Sequence, residues 1–111
     1  MNILVTGGAG YIGSHTAKAL ARCGHHPVVI DDLSTGHAHN VKWGPLLRAN
    51  ISDTPSVRRA LREYQIEAVV HFAGSALVGE SATEPLAYFQ NNVGATLSLL
   101  QAMLDENAVP L

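Results

Sequence analysis

The stretch LVTGGAGYIGSH, residues 4–15, decides the reading of this chain. An apolar strand, Ile3-Leu4-Val5, runs into three glycines spaced three apart, Gly7, Gly10 and Gly13. A helical pattern from Tyr11 to Cys23 follows, and Gly24 closes it. The first glycine permits a tight turn, the second lets the backbone approach a ligand closely, and the third lets the helix pack on the sheet. The start of that helix turns free N–H groups and the positive end of its dipole toward the same space, which favours an anion such as a pyrophosphate. Asp31 ends the second strand, 18 residues past Gly13, where a carboxylate accepts hydrogen bonds from an adenosine ribose. A glycine triplet alone is equally a flexible turn. Set between strand and helix, with an acid at the end of the next strand, it reads as a dinucleotide site. Asp31 also favours NAD(H) over NADP(H), because it repels a 2′-phosphate and no arginine directly follows to neutralise one.

Outward from the glycines, strand alternates with helix. Val28-Val29-Ile30 is a second buried strand, and Leu33 to Gly44 is a loop rich in Ser, Thr, Gly, His and Asn. Leu46-Leu47 is a weak third strand. Asp53-Thr54-Pro55 starts a helix with a capping side chain and an early proline, and Val57, Leu61 and Tyr64 share one of its faces. Ala68–Phe72 is a fourth strand bounded by Gly74. Pro85 opens a long helix in which Leu86, Phe89, Val93, Leu97, Leu100 and Leu104 recur at spacings of three or four. This order predicts an α/β fold, a doubly wound parallel sheet that is incomplete. Val109-Pro110-Leu111 reads as the approach to a fifth strand that does not form. The fourth strand, free of charge and proline, is then an exposed edge through which a homo-oligomer is expected to associate.

With 111 residues the chain has room for one domain. At 47% hydrophobic, 14% charged and a net charge of −2, it carries no electrostatic footprint for nucleic acid or an anionic membrane. No secretory leader or membrane span is legible, and Cys23 is the only cysteine, so a cytoplasmic setting is expected. Cys23 reads as a small buried residue. His25-His26 and His37-x-His39 lack partners at ligand spacing, so no metal is expected, and His71 reads as a hydrogen-bonded core histidine. Ser81 has no adjacent base. Arg58, Arg59 and Arg62 read as a solvated helix face, and Trp43 either covers an adenine or packs its own loop.

The glycine spacing is G-x-x-G-x-x-G, one residue longer than G-x-G-x-x-G. Together with DDLSTG (Asp31–Gly36), HFAG (His71–Gly74), VGES (Val78–Ser81) and NNV (Asn91–Val93), it makes the chain resemble the extended short-chain dehydrogenase/reductase family along essentially its whole length. The resemblance implies a Rossmann-type NAD-binding domain and, within the family, the members that epimerise a UDP-hexose at C4 in carbohydrate metabolism. It implies Tyr11 and Ile12 over the pyrophosphate and Asp31 on the adenosine ribose. Asp32, Leu33, Ser34, Thr35 and Gly36 would line the adenine side, with Phe72, Ala73 and Gly74 beneath the cofactor and Asn91 reaching back to them. Three positions depart from the family. Asn50-Ile51 stands where Asp-Ile is common, so Asn50 would accept from the adenine amino group without charge assistance. Ala76 replaces a lysine that touches the nicotinamide-side ribose, and Gly94-Ala95-Thr96 replaces Asn-Gly-Thr.

The family's chemistry needs a tyrosine with a lysine four residues on, and a serine or threonine upstream. The tyrosine takes the proton of the sugar 4-hydroxyl and NAD⁺ takes the C4 hydride. The 4-keto sugar turns over and is reduced on its other face. None of Tyr11, Tyr64 and Tyr88 has that lysine. Residues 1–111 are therefore expected to be the NAD-binding portion of such an epimerase, with no catalytic residue of their own, the substrate domain absent and the UDP-sugar bound elsewhere. The alternatives are another nucleotide-sugar epimerase, dehydratase or decarboxylase of the family, or a non-catalytic NAD-binding sensor.

Overall fold

Strand β1, Asn2–Thr6, is buried from Ile3 onward because both of its faces are covered. Its side chains alternate. Ile3 and Val5 pack with Val29, Ala68 and Ala17 of helix α1 (Tyr11–Arg22) on one face of the sheet. Leu4 joins Val28, Ile30, Ile51, Val69 and the two other helices on the opposite face. The computed structural model describes residues 1–73 and 85–110. The remaining elements are β2 (His26–Asp31), β3 (Leu46–Arg48), α2 (Thr54–Glu63), β4 (Ala68–His71), α3 (Pro85–Glu106) and β5 (Val109–Pro110), with a short 3-10 turn at Ala38–Asn40. The five strands run parallel in the order β3-β2-β1-β4-β5, with Leu4 opposite both Val28 and Val69. This is the Rossmann-type α/β sheet, and continuous apolar strands are what coverage on both faces demands. No helix among the described residues is long and apolar enough to cross a membrane.

Several expectations are corrected. The fourth strand is not an edge: β5 pairs with it, Ala68 opposite Val109 and Val69 opposite Pro110, and the Val109 N–H donates to the Glu67 carbonyl at 3.1 Å. Association through an exposed fourth strand is withdrawn with that expectation. The leucine stripe on α3 does not supply its core contacts: Leu99, Ala102 and Met103 enter the core, whereas Leu86, Val93, Leu97, Leu100 and Leu104 are exposed, and the side chain of Phe89 lies outside the described residues. Small Ala102 lets α3 approach its neighbours closely, and Arg58 and Arg62 of α2 pair with Asp105 and Glu106 at its end. Those pairs turn two of the three arginines from a merely solvated face into a link between helices. Asp53 does stand at the start of α2, but its carboxylate accepts from the Ser56 hydroxyl at 2.7 Å instead of capping a backbone N–H. Cys23 is exposed at the end of α1.

Candidate functional site

The turn out of β1 is built by close backbone contacts. Gly7 takes φ +69°, a left-handed conformation that favours glycine, and its N–H donates to the Ile30 carbonyl at 2.9 Å. A Cβ on Gly7 would lie 2.8 Å from Ala73 N and from the Phe72 carbonyl carbon, so the turn rests directly on the chain leaving β4. A Cβ on Gly13 would lie 2.3 Å from the Gly7 carbonyl oxygen, which is how tightly α1 seats on the turn. Gly10 differs: among the described residues a Cβ there would meet only the Gly7 oxygen, at 3.4 Å, so that side of the backbone is open to them. Gly10 is also the N-cap of α1, with no side-chain cap and no acid in the first turn. The helix thus has no acid of its own at its positive end, which is flanked by Tyr11 and Ile12, 79% and 64% exposed.

Asp31 fastens this turn to the next loop. Its Oδ2 accepts from the Ala9 N–H at 3.0 Å and its Oδ1 from the Leu33 N–H at 2.8 Å. Leu33 is held at φ +63°, an uncommon conformation for a side-chain-bearing residue, which that hydrogen bond stabilises. The Ala9 carbonyl in turn accepts from the His37 N–H at 3.1 Å and from Asn40 Nδ2 at 3.0 Å. Gly36 lies so close to Ala9 that a Cβ would sit 2.8 Å from its carbonyl carbon. Asp32 is exposed, and hydrogen bonding, led by the Ser34 N–H, holds its carboxyl below the usual range. Its Oδ2 accepts from Asn50 Nδ2 at 3.1 Å. The Asn50 amide oxygen, expected to face an adenine, instead accepts from the Ser52 N–H at 2.9 Å and meets its hydroxyl at 2.7 Å. Ile51 puts its side chain into the core. Ser34 and Thr35 are exposed. Trp43 sits against α1, with the Lys18 ammonium 5.9 Å from its ring centre.

At the end of β4, Phe72 has left the strand and is exposed, and Ala73 is partly buried. Gly74, Ser81 and the side chain of Asn91 lie outside the described residues. His71 corrects the core reading: it is exposed at one side, though hydrogen-bonded at both ring nitrogens. The protein around the ring removes it from water and lowers its pKa from the ordinary 6.5. In acid the folded chain then binds fewer protons than the unfolded chain. The resulting stability is complete above that ordinary value and is lost as pH falls toward the folded one. Between pH 7 and 5 the melting temperature is expected to fall further in the unmodified chain than in His71→Asn, and parallel curves would refute this. The sequence reading missed Thr6 and Asn40. Their only signal is a polar residue closing an apolar strand and an asparagine in a loop. Among the described residues, no three His, Cys, Asp or Glu side chains gather as a metal site would need.

Residues 3–110 match the NAD dependent epimerase/dehydratase family. The UDP-glucose 4-epimerase of Rhizobium meliloti is 50% identical over 103 residues, which are 93% of this chain and 31% of that protein. The crystal structure of the Brucella ovis UDP-glucose 4-epimerase in complex with NAD superposes with a TM-score of 0.93 at 50% identity, over 97% of this chain and 34% of that one. The Thermotoga maritima enzyme, solved with UDP-glucose, gives a TM-score of 0.91 at 35% identity, over 97% and 35%. The chain thus spans about a third of the length of these relatives.

Proposed function

We propose, from the premise that this chain belongs to the NAD dependent epimerase/dehydratase family, that it forms the NAD-binding part of a UDP-glucose 4-epimerase, which inverts C4 of a UDP-hexose through a 4-keto sugar. The observation that carries this reading is the open backbone at Gly10, set at the uncapped start of α1 and tied to Asp31 through Ala9. That cradle fits a pyrophosphate, which can approach the bare backbone and the first-turn N–H groups. Asp31 keeps a lone pair on each oxygen beyond those spent on Ala9 and Leu33, enough to accept from ribose hydroxyls. Tyr11 and Ile12 flank the cradle, and Phe72 and Ala73 form its floor. Bound NAD supplies the acceptor and donor of the C4 hydride. This chain's residues bind and orient it, and none of its tyrosines has the lysine partner that the proton transfer uses in the family.

Calorimetric titration with NAD⁺ and NADP⁺ tests the reading. The unmodified chain should prefer NAD⁺. Asp31→Ala should cost about 1–3 kcal/mol of NAD⁺ binding, the usual loss for a charged hydrogen-bond partner, and should narrow the preference. Equal affinity of the unmodified chain for both dinucleotides would overturn the assignment.

A further inference from the structure

Thr6 is a fully buried polar side chain at the end of β1. Three groups from the end of β4 converge on its Oγ1: Ala73 N at 3.1 Å, Phe72 N at 3.0 Å and His71 Nδ1 at 2.6 Å. The Phe72 N–H is shared with the Thr6 carbonyl at 2.9 Å. A hydroxyl offers two acceptor sites and one proton. Backbone amides only donate, so Ala73 and Phe72 occupy the acceptor sites. The hydroxyl proton then needs an acceptor, and Nδ1 is the one that stands in contact. Were Nδ1 protonated instead, three donors would crowd one oxygen and a buried O–H would lose its partner, a costly arrangement. The neutral ring therefore carries its proton on Nε2, which faces Thr96 Oγ1 of α3 at 3.2 Å.

We propose that His71 is a positioning residue. As a fixed Nε2–H imidazole it clamps the segment leaving β4 between Thr6 of β1 and Thr96 of α3, and so sets the floor under the glycine turn. The link to the turn is direct, because Phe72 and Ala73 are the atoms a Cβ on Gly7 would strike. The clamp stands on the hydrogen bonds alone; its effect on ligand rests on the NAD reading above.

The test uses the ¹⁵N-labelled chain, ligand-free and titrated with NAD⁺. Imidazole ¹H–¹⁵N correlation should show His71 with Nδ1 unprotonated, and the Phe72 and Ala73 amides should be protected from exchange. His71→Leu should speed exchange of those two amides and weaken NAD⁺ binding, each by about tenfold, the scale of one lost buried hydrogen bond. His71→Asn, which restores an acceptor near Thr6, should recover most of both, and Thr6→Ser should keep the tautomer. A protonated or mixed Nδ1, or unchanged exchange in a folded His71→Leu, would overturn the clamp. Absence of NAD⁺ binding in the unmodified chain, with the tautomer and exchange results intact, would instead overturn the cofactor reading and leave the clamp standing.

Discussion

Gly13→Ala is expected to destabilise the chain by about 3 kcal/mol or more, beyond the usual range for one added methyl group, because the obstacle is backbone. Two effects oppose each other. Alanine in a helix gains up to about 1 kcal/mol over glycine from propensity alone. Against it, the new Cβ would lie 2.3 Å from the Gly7 carbonyl oxygen and 2.8 Å from Gly8 Cα, and no side chain can swing away to relieve either contact. The clash wins, because relief requires lifting the first turn of α1 off β1. A loss of that size lowers the melting temperature by roughly 10 °C or more in a domain of this size. Circular dichroism melts of the two proteins decide it, and a midpoint shifted by only a degree or two would show that α1 can slide without cost.

Gly10→Val should do the opposite. Gly10 sits at φ −78° and ψ 178°, extended backbone that a β-branched residue adopts readily, and among the described residues its Cβ would meet only ordinary contact with the Gly7 oxygen. The fold should survive with a nearly unchanged melt. On the NAD reading proposed above, the valine methyl groups would fill the open side where a pyrophosphate would approach. Losing two charge-assisted hydrogen bonds there lowers NAD⁺ affinity by about a hundredfold or more. Calorimetry on the folded variant measures this, and an unchanged affinity would mean the opening serves no ligand. The two measurements together would then separate the duties of two glycines three residues apart, one toward the helix and one toward the proposed ligand.

The first βαβ unit was legible because its signals are local: an apolar run, glycines at fixed spacing, and an acid at the next strand's end. The face of α3 was not. That helix is apolar on more than one side, and periodicity favoured the larger leucines. Packing instead selected Leu99, Ala102 and Met103, where small and large side chains fit against α2 and the sheet. β5 reads in the sequence only as the approach to a strand, because one valine followed by a proline is too short a run to establish one; pairing with β4 makes the strand. Thr6 and His71 lie 65 positions apart, so nothing local could join them.

The double attachment of Asp31 has a bearing on cofactor engineering. Converting such a protein from NAD to NADP ordinarily begins by removing the acid at the end of the second strand. Here that carboxylate also secures the Ala9 and Leu33 amides, and with them a leucine in a left-handed conformation. Removing it leaves only the His37 and Asn40 bonds to the Ala9 carbonyl between the glycine turn and the loop that follows, so a single substitution would give a loosened site before it gave a new preference. A workable redesign would first make the loop self-supporting, for example with Leu33→Gly to accept the positive φ without strain. Only then would it exchange the acid for a residue that welcomes a phosphate.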